Sequence, residues 1–161
     1  MAAAFAACMA MVAAFNHLPP KALPQIQAAE GGRNGIAHSN ANGSVDYGVM
    51  QINSLWVPAL AHSTGWTETA VRIHLMYDPC FNIAAAGAIL RRNLIETHGD
   101  LRRALGVYHS HKPSLNQAYR TRETSAAAML KHPAGPGNAS AALTAFLAPR
   151  AIARVRDESA A

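Results

Sequence analysis

The chain is 161 residues long, half of it apolar and 14% charged, with a formal net charge of +5. This length suits one domain able to bury a core, and the composition excludes a disordered polyelectrolyte. Alanine is abundant and β-branched residues are sparse, which favours helices.

The first stretch, Met1 to Phe15, is apolar throughout and could pass for a signal h-region, but no Lys or Arg precedes it. The same absence weighs against a lipoprotein-like reading of Phe5-Ala6-Ala7-Cys8. The stretch therefore reads as the first helix of the mature protein, with any export signal lying outside this sequence, and Pro19-Pro20 ends it. No apolar run reaches the roughly 18 residues of a membrane span. Leu23, Ile26 and Glu30 then share one helix face. Pro24 requires that this helix start near Leu23 or carry a distorted first turn. Gly31-Gly32 stops it.

Ile36 to Tyr47 is polar and turn-rich, and Asn42-Gly43 predicts a small β-hairpin. A helix is expected from about Gly48 to Leu60. Thr67 is placed to cap a short helix carrying Ala70, Val71, Ile73 and His74, and Asp78-Pro79 is a helix start with an acid at N-cap and Pro at N1. The Ala-rich stretch from Cys80 to Thr97 is expected to be the central buried helix. Asp100 caps another, ending near Gly106, and Asn116 to Leu130 is the last helical candidate. The fold class is thus mainly α, with a small β-hairpin. After Arg122 the composition shifts to Ala, Pro, Gly and Ser, so residues 123–161 read as a partly helical or disordered tail outside a domain of residues 1–122.

Glu30 is the candidate with chemistry. It ends an otherwise apolar helix face and precedes a glycine pair, so its carboxyl is partly desolvated and open on one side. A general acid needs a rigid, partly desolvated carboxyl with an open approach, although an ordinary helix-end ion pair fits these local features too. Downstream stand Asp46-Tyr47-Gly48-Val49-Met50-Gln51-Ile52-Asn53, then Asp78-Pro79-Cys80-Phe81-Asn82-Ile83, then Gly106-Val107-Tyr108-His109-Ser110.

This ordered set, over about residues 8–122, resembles the soluble lytic transglycosylase family, which shares a lysozyme-like fold with goose-type lysozyme. It is similar above all to the small accessory members that serve conjugation, type III and type IV secretion, and type IV pili. The resemblance implies a helical domain with a β-hairpin flap over an active-site cleft, and Glu30 as catalytic acid/base. Gly48 to Gln51 would be the family's Gly-Leu-Met-Gln motif, with Val49 in the Leu place. Gly48 would let backbone approach the sugar, Met50 would pack beneath the site, and Gln51 would hydrogen-bond substrate. Tyr108 would match the Tyr of the Ala-Tyr-Asn motif, its hydroxyl directed toward the catalytic carboxyl. Tyr47, Asn53 and Tyr119 complete the expected substrate contacts. Spacing alone leaves Cys8 and Cys80 as buried thiols or one disulfide. The resemblance implies the disulfide, and with it an oxidising compartment, periplasmic or exported. Gly31 stands where the family has Ser, and His109 where it has Asn; neither replacement is assigned a catalytic role.

Ordinary glycosidases use two carboxylates. The resemblance implies an enzyme that dispenses with the second, forming a 1,6-anhydro end at N-acetylmuramic acid. Asp46 is the remaining possible second carboxylate, with a hairpin cap as its plainer reading. A lysozyme-type muramidase and a non-catalytic peptidoglycan-binding assembly protein are the alternatives. The expected partners are peptidoglycan glycan strands and components of an envelope-spanning secretion or conjugation apparatus. Nucleic acid is suggested by charge alone and is not expected, since Arg91-Arg92 and Arg102-Arg103 read as solvated helix faces. Eight histidines show no HExxH or paired Cys-His spacing, and no Gly-x-Ser-x-Gly elbow accompanies His109-Ser110-His111. Neither a metal, a cofactor nor a serine nucleophile is expected.

Overall fold

The computed structural model describes residues 2–109. The helical candidate at 116–130, the tail and Tyr119 lie outside the described residues.

Helix α1 spans Ala2–Phe15 and α2 Ala22–Glu30. Pro24 sits in the first turn of α2, where its missing N–H has no helical acceptor to lose, so the helix is not interrupted. Gly31 caps α2 in the left-handed conformation (φ 65°), its N–H donating to the Gln27 carbonyl at 3.0 Å. Leu23 and Ile26 are fully buried, which confirms the face that leads to Glu30.

The flap has three antiparallel strands, β1 (Ala37–Ser39), β2 (Val45–Tyr47) and β3 (Ile52–Asn53), in the order β1-β2-β3. Ser39 pairs with Val45 and Tyr47 with both Ala37 and Ile52. The hairpin therefore closes over Asn40–Ser44, a longer loop than a two-residue Asn-Gly turn, with Gly43 at φ 83°. All of β1 is exposed, so polar side chains rather than an apolar face hold this region together.

The helix expected from Gly48 begins later. Gly48 to Gln51 is a turn, β3 follows, then a 3-10 turn at Ser54–Trp56, and α3 starts only at Val57, running to Thr64. Left-handed backbone at Gly48 (φ 71°) and Gln51 (φ 50°) is incompatible with a continuous helix, and Pro58 falls in the first turn of α3. The Thr67 hydroxyl accepts from Ala70 N at the start of α4 (Glu68–Tyr77), and the Asp78 carboxylate accepts from Phe81 N at the start of α5 (Pro79–Glu96). Asp100 caps α6 (Leu101–His109), which runs past the expected stop at Gly106 because that glycine is buried within the helix.

Helix α5 is the core, with every residue from Phe81 to Leu90 buried. Helix α1 crosses it closely at Gly87, where an added Cβ would strike the side chain of Val12 and lie 3.1 Å from the Asn16 amide. Cys8 of α1 and Cys80 of α5 are joined as a disulfide, Cα atoms 5.6 Å apart and 72 residues apart in sequence. Closing a loop of that length is worth about 4 kcal/mol in the chain-entropy model. Replacing both cysteines by serine is expected to lower the unfolding free energy by roughly that amount, read from denaturant titrations. Among the described residues no single helix is long and apolar enough to cross a membrane.

Candidate active site

Glu30 is the last residue of α2, and its side chain is only 14% exposed. The backbone after it has two glycines with opposite surroundings. At Gly31 an added Cβ would meet nothing within 4 Å. At Gly32 it would run into the backbone carbonyls of Gly48 and Val49, the latter at 2.8 Å. Gly32 is thus where the end of α2 is pressed against the Gly48–Gln51 turn. Gly32→Ala is expected to force these two backbones apart, cutting activity and lowering the melting temperature. Gly31→Ala carries only the left-handed backbone cost, roughly 1 kcal/mol. Thermal melts of the two variants side by side check the contrast.

The Gly48–Gln51 turn is clasped from behind by Asn82, which is fully buried in α5. Its Oδ1 accepts from Met50 N at 2.8 Å, and its Nδ2 donates to the carbonyls of Tyr47 and Leu75, both at 2.8 Å. Every one of these partners is backbone, so one side chain fixes the path of the turn against α4 and α5. A Cβ on Gly48 would overlap the Leu75 carbonyl and sit 2.6 Å from the Asn82 amide nitrogen. Gly48 is therefore required by the approach of α4 and Asn82 on its inner side.

The other residues expected at the site are held as follows. Gly48 is buried, and its lack of a side chain serves the packing behind the turn. Met50 is fully buried, in keeping with a side chain that packs beneath the site. Tyr47 is 8% exposed and belongs to the core, so it offers no open ring face for stacking. Asn53 donates to Asp46 Oδ1 at 2.7 Å and to the Ser44 hydroxyl at 2.9 Å, and its Oδ1 accepts from Leu55 N at 3.0 Å. Its amide is consumed in holding the flap. Gln51 is partly buried, and its Nε2 donates to the Gly48 carbonyl at 2.8 Å, closing the turn on itself.

Asp46 belongs to the same flap network. Oδ1 takes the Asn53 bond and Oδ2 accepts from Asn40 Nδ2 at 2.8 Å. Both oxygens are thus occupied by neutral donors that pin β2 against the hairpin loop and β3. The Asn40 and Ser44 contributions carried no motif signal, because their partners are set by the hairpin's register.

Tyr108, in the last turn of α6, was expected to aim its hydroxyl at the Glu30 carboxyl. It donates instead to the Met50 carbonyl at 3.0 Å. Burial, then the charges of Glu30 and Asp46, push the phenol well above its ordinary pKa. It therefore stays neutral, a fixed donor holding the outer side of the turn that Asn82 holds from within. Beside it, His109 Nδ1 stands 3.8 Å from Glu30 Oε1, its side chain 29% exposed. Two further aromatics have structural partners: Trp66 stacks on His74 at 4.3 Å and packs against Phe81, and Arg92 lies 5.1 Å over Trp56.

The structure thus brings Glu30, the Gly48–Gln51 turn, Tyr108 and His109 into one place, with Asp46 and Asn53 in the supporting flap. A family model of the transglycosylase SLT domain matches residues 7–130. No curated protein matches the chain. Because the family match spans most of the sequence and the helices and flap agree with it, the protein belongs to the transglycosylase SLT domain family, with its mainly α, lysozyme-like fold and a peptidoglycan-degrading function of the lytic transglycosylase type.

Proposed function

We propose that this protein cleaves the β-1,4 bond between N-acetylmuramic acid and N-acetylglucosamine, with Glu30 as its single acid/base and a 1,6-anhydro end as product. The observation that carries this is the setting of Glu30: a side chain only 14% exposed at the end of α2, next to the Gly32 contact with the Gly48–Gln51 turn. In the first step the carboxylic acid gives its proton to the leaving glycosidic oxygen as the C1–O bond breaks. The substrate's acetamido oxygen stabilises the oxocarbenium-like centre. The Glu30 carboxylate then takes the proton from the 6-hydroxyl as that oxygen bonds to C1, which regenerates the acid. The network around Asp46 favours this reading over hydrolysis. A carboxylate with both oxygens engaged by Asn40 and Asn53 is poorly disposed to activate a water.

Mass spectrometry of soluble products from digested sacculi tests the reaction. The expected glycans are lighter by one water than hydrolysis products, and products carrying only reducing ends would reassign the protein as a muramidase. The Cys8–Cys80 disulfide supports a site of action in an oxidising, extracytoplasmic compartment. Service to a secretion, conjugation or pilus apparatus, through local wall openings, is the biological role that fits such an enzyme.

A further inference from the structure

The ends of α1 and α5 are built alike. Leu18 N donates to the Ala13 carbonyl at 2.8 Å and His17 N to the Ala14 carbonyl at 3.2 Å. Gly99 N donates to Leu94 and His98 N to Ile95, again at 2.8 and 3.2 Å. Each helix thus closes in the paired-bond motif whose left-handed residue is usually glycine. Here that residue is a histidine both times, His17 at φ 51° and His98 at φ 54°. Among the described residues only Gln51, in the turn at the candidate active site, is another non-glycine with left-handed backbone. Such backbone costs free energy in any residue with a Cβ, and it gathers at functional sites. Both histidines line one surface groove of about 450 Å³, together with Arg91 of α5 and the apolar Leu94, Ile95 and Leu101.

Among the described residues no acidic side chain lines this groove, and neither histidine nor Arg91 has an ion pair or a side-chain hydrogen bond. Arg91 brings a permanent positive charge and a planar fork of N–H donors that matches a carboxylate, and each imidazole adds a donor. Ile95, 66% exposed, and the two leucines offer contact to small apolar groups. Leu101 begins α6 and His109 ends it, 3.8 Å from Glu30. The groove therefore stands roughly one helix length, about 12 Å, from the candidate active site. We propose that it binds the carboxylate-bearing peptide stems of peptidoglycan, as an anchor separate from the cleft that takes the glycan. A peptide stem combines free carboxylates with alanine methyl groups, and the groove presents the complement of both. The proposal rests on peptidoglycan as substrate and not on the role of Glu30.

Calorimetry and NMR on the full chain test this with a synthetic stem pentapeptide and with the same peptide amidated at every carboxyl. The acidic peptide is expected to shift the ring resonances of His17 and His98. Amidation of the peptide, or Arg91→Gln in the protein, is expected to weaken binding roughly tenfold or more, the effect of losing a charged hydrogen-bond partner. His17→Gly and His98→Gly separate binding from architecture. Each is expected to weaken binding while melting at or above the wild-type temperature, because glycine takes left-handed backbone without a Cβ clash. Equal affinity for the two peptides, or unchanged affinity in Arg91→Gln, overturns the proposal. So do shifts confined to the Gly48–Gln51 turn, which would put the peptide in the cleft. A wild type that ignores the peptide but sediments with phosphatidylglycerol vesicles through Arg91 also overturns it, and makes the groove a lipid-headgroup site. None of these readouts needs turnover, so their failure leaves the role of Glu30 standing. Arg91→Gln is expected to release glycan from peptide-stripped strands at the wild-type rate, and a loss there would overturn the separateness of the anchor. A wild type inactive on those strands counts against the role of Glu30 alone.

Discussion

Glu30→Gln is expected to abolish release of glycan from sacculi while leaving the protein folded and bound to the wall. The amide has nearly the shape of the carboxyl, so packing at the end of α2 is preserved. It has no proton to give a leaving oxygen and no basic oxygen to receive one from the 6-hydroxyl. General acid–base catalysis at one step is worth roughly 100- to 10,000-fold, and here the same group serves two steps in succession. A loss at or beyond the top of that range is therefore expected, measured as soluble glycan per unit time with wall sedimentation as the binding control. Activity close to wild type would end the single-carboxyl argument. Binding without cleavage in the wild type itself would instead favour a non-catalytic wall-binding protein.

Asn82→Leu is expected to be the most destabilising single change in the described part of the chain. Its three partners are Met50 N–H and the carbonyls of Tyr47 and Leu75, in segments brought together only by the fold. Leucine matches the volume but satisfies none of them, and each backbone group left buried without a partner costs about 1–3 kcal/mol. Relaxation makes the sum less than additive, so a loss of about 3–5 kcal/mol is expected, against a typical domain stability of about 5–15 kcal/mol. Urea titration followed by circular dichroism reads it. Activity should fall further than the folded fraction, because the turn facing Glu30 loses its inner anchor. A variant as stable as wild type would mean that the Gly48–Gln51 turn holds its shape without Asn82.

Helix positions were legible where local chemistry decides them. Thr67, Asp78 and Asp100 each cap the helix they were expected to cap, and Gly31 ends α2. These are short-range bonds between a side chain and a nearby N–H, so they can be read from the sequence. The stretch after Tyr47 was misread as helix because its apolar residues suit either structure. The left-handed turn and β3 are imposed by Asn82, more than 30 residues away. The site shows the same division. Glu30 could be singled out from its helix face and motif order, but the burial of Tyr47, Gly48 and Met50 could not. That burial depends on how α4 and α5 press on the turn from behind. Nothing local relates the end of α6 to the end of α2; only the resemblance, which sets Tyr108 beside Glu30, brought the two together.

The turn opposite Glu30 owes its shape to partners that arrive late along the chain. Met50 is gripped by Asn82, 32 residues on, and by the Tyr108 hydroxyl, 58 residues on. A chain still emerging from the ribosome carries Glu30 long before it carries those anchors. Such a chain holds the Glu30 carboxyl without the ordered turn that stands near it in the fold. The turn next to the end of α2 therefore takes its final shape only when α5 and α6 have docked.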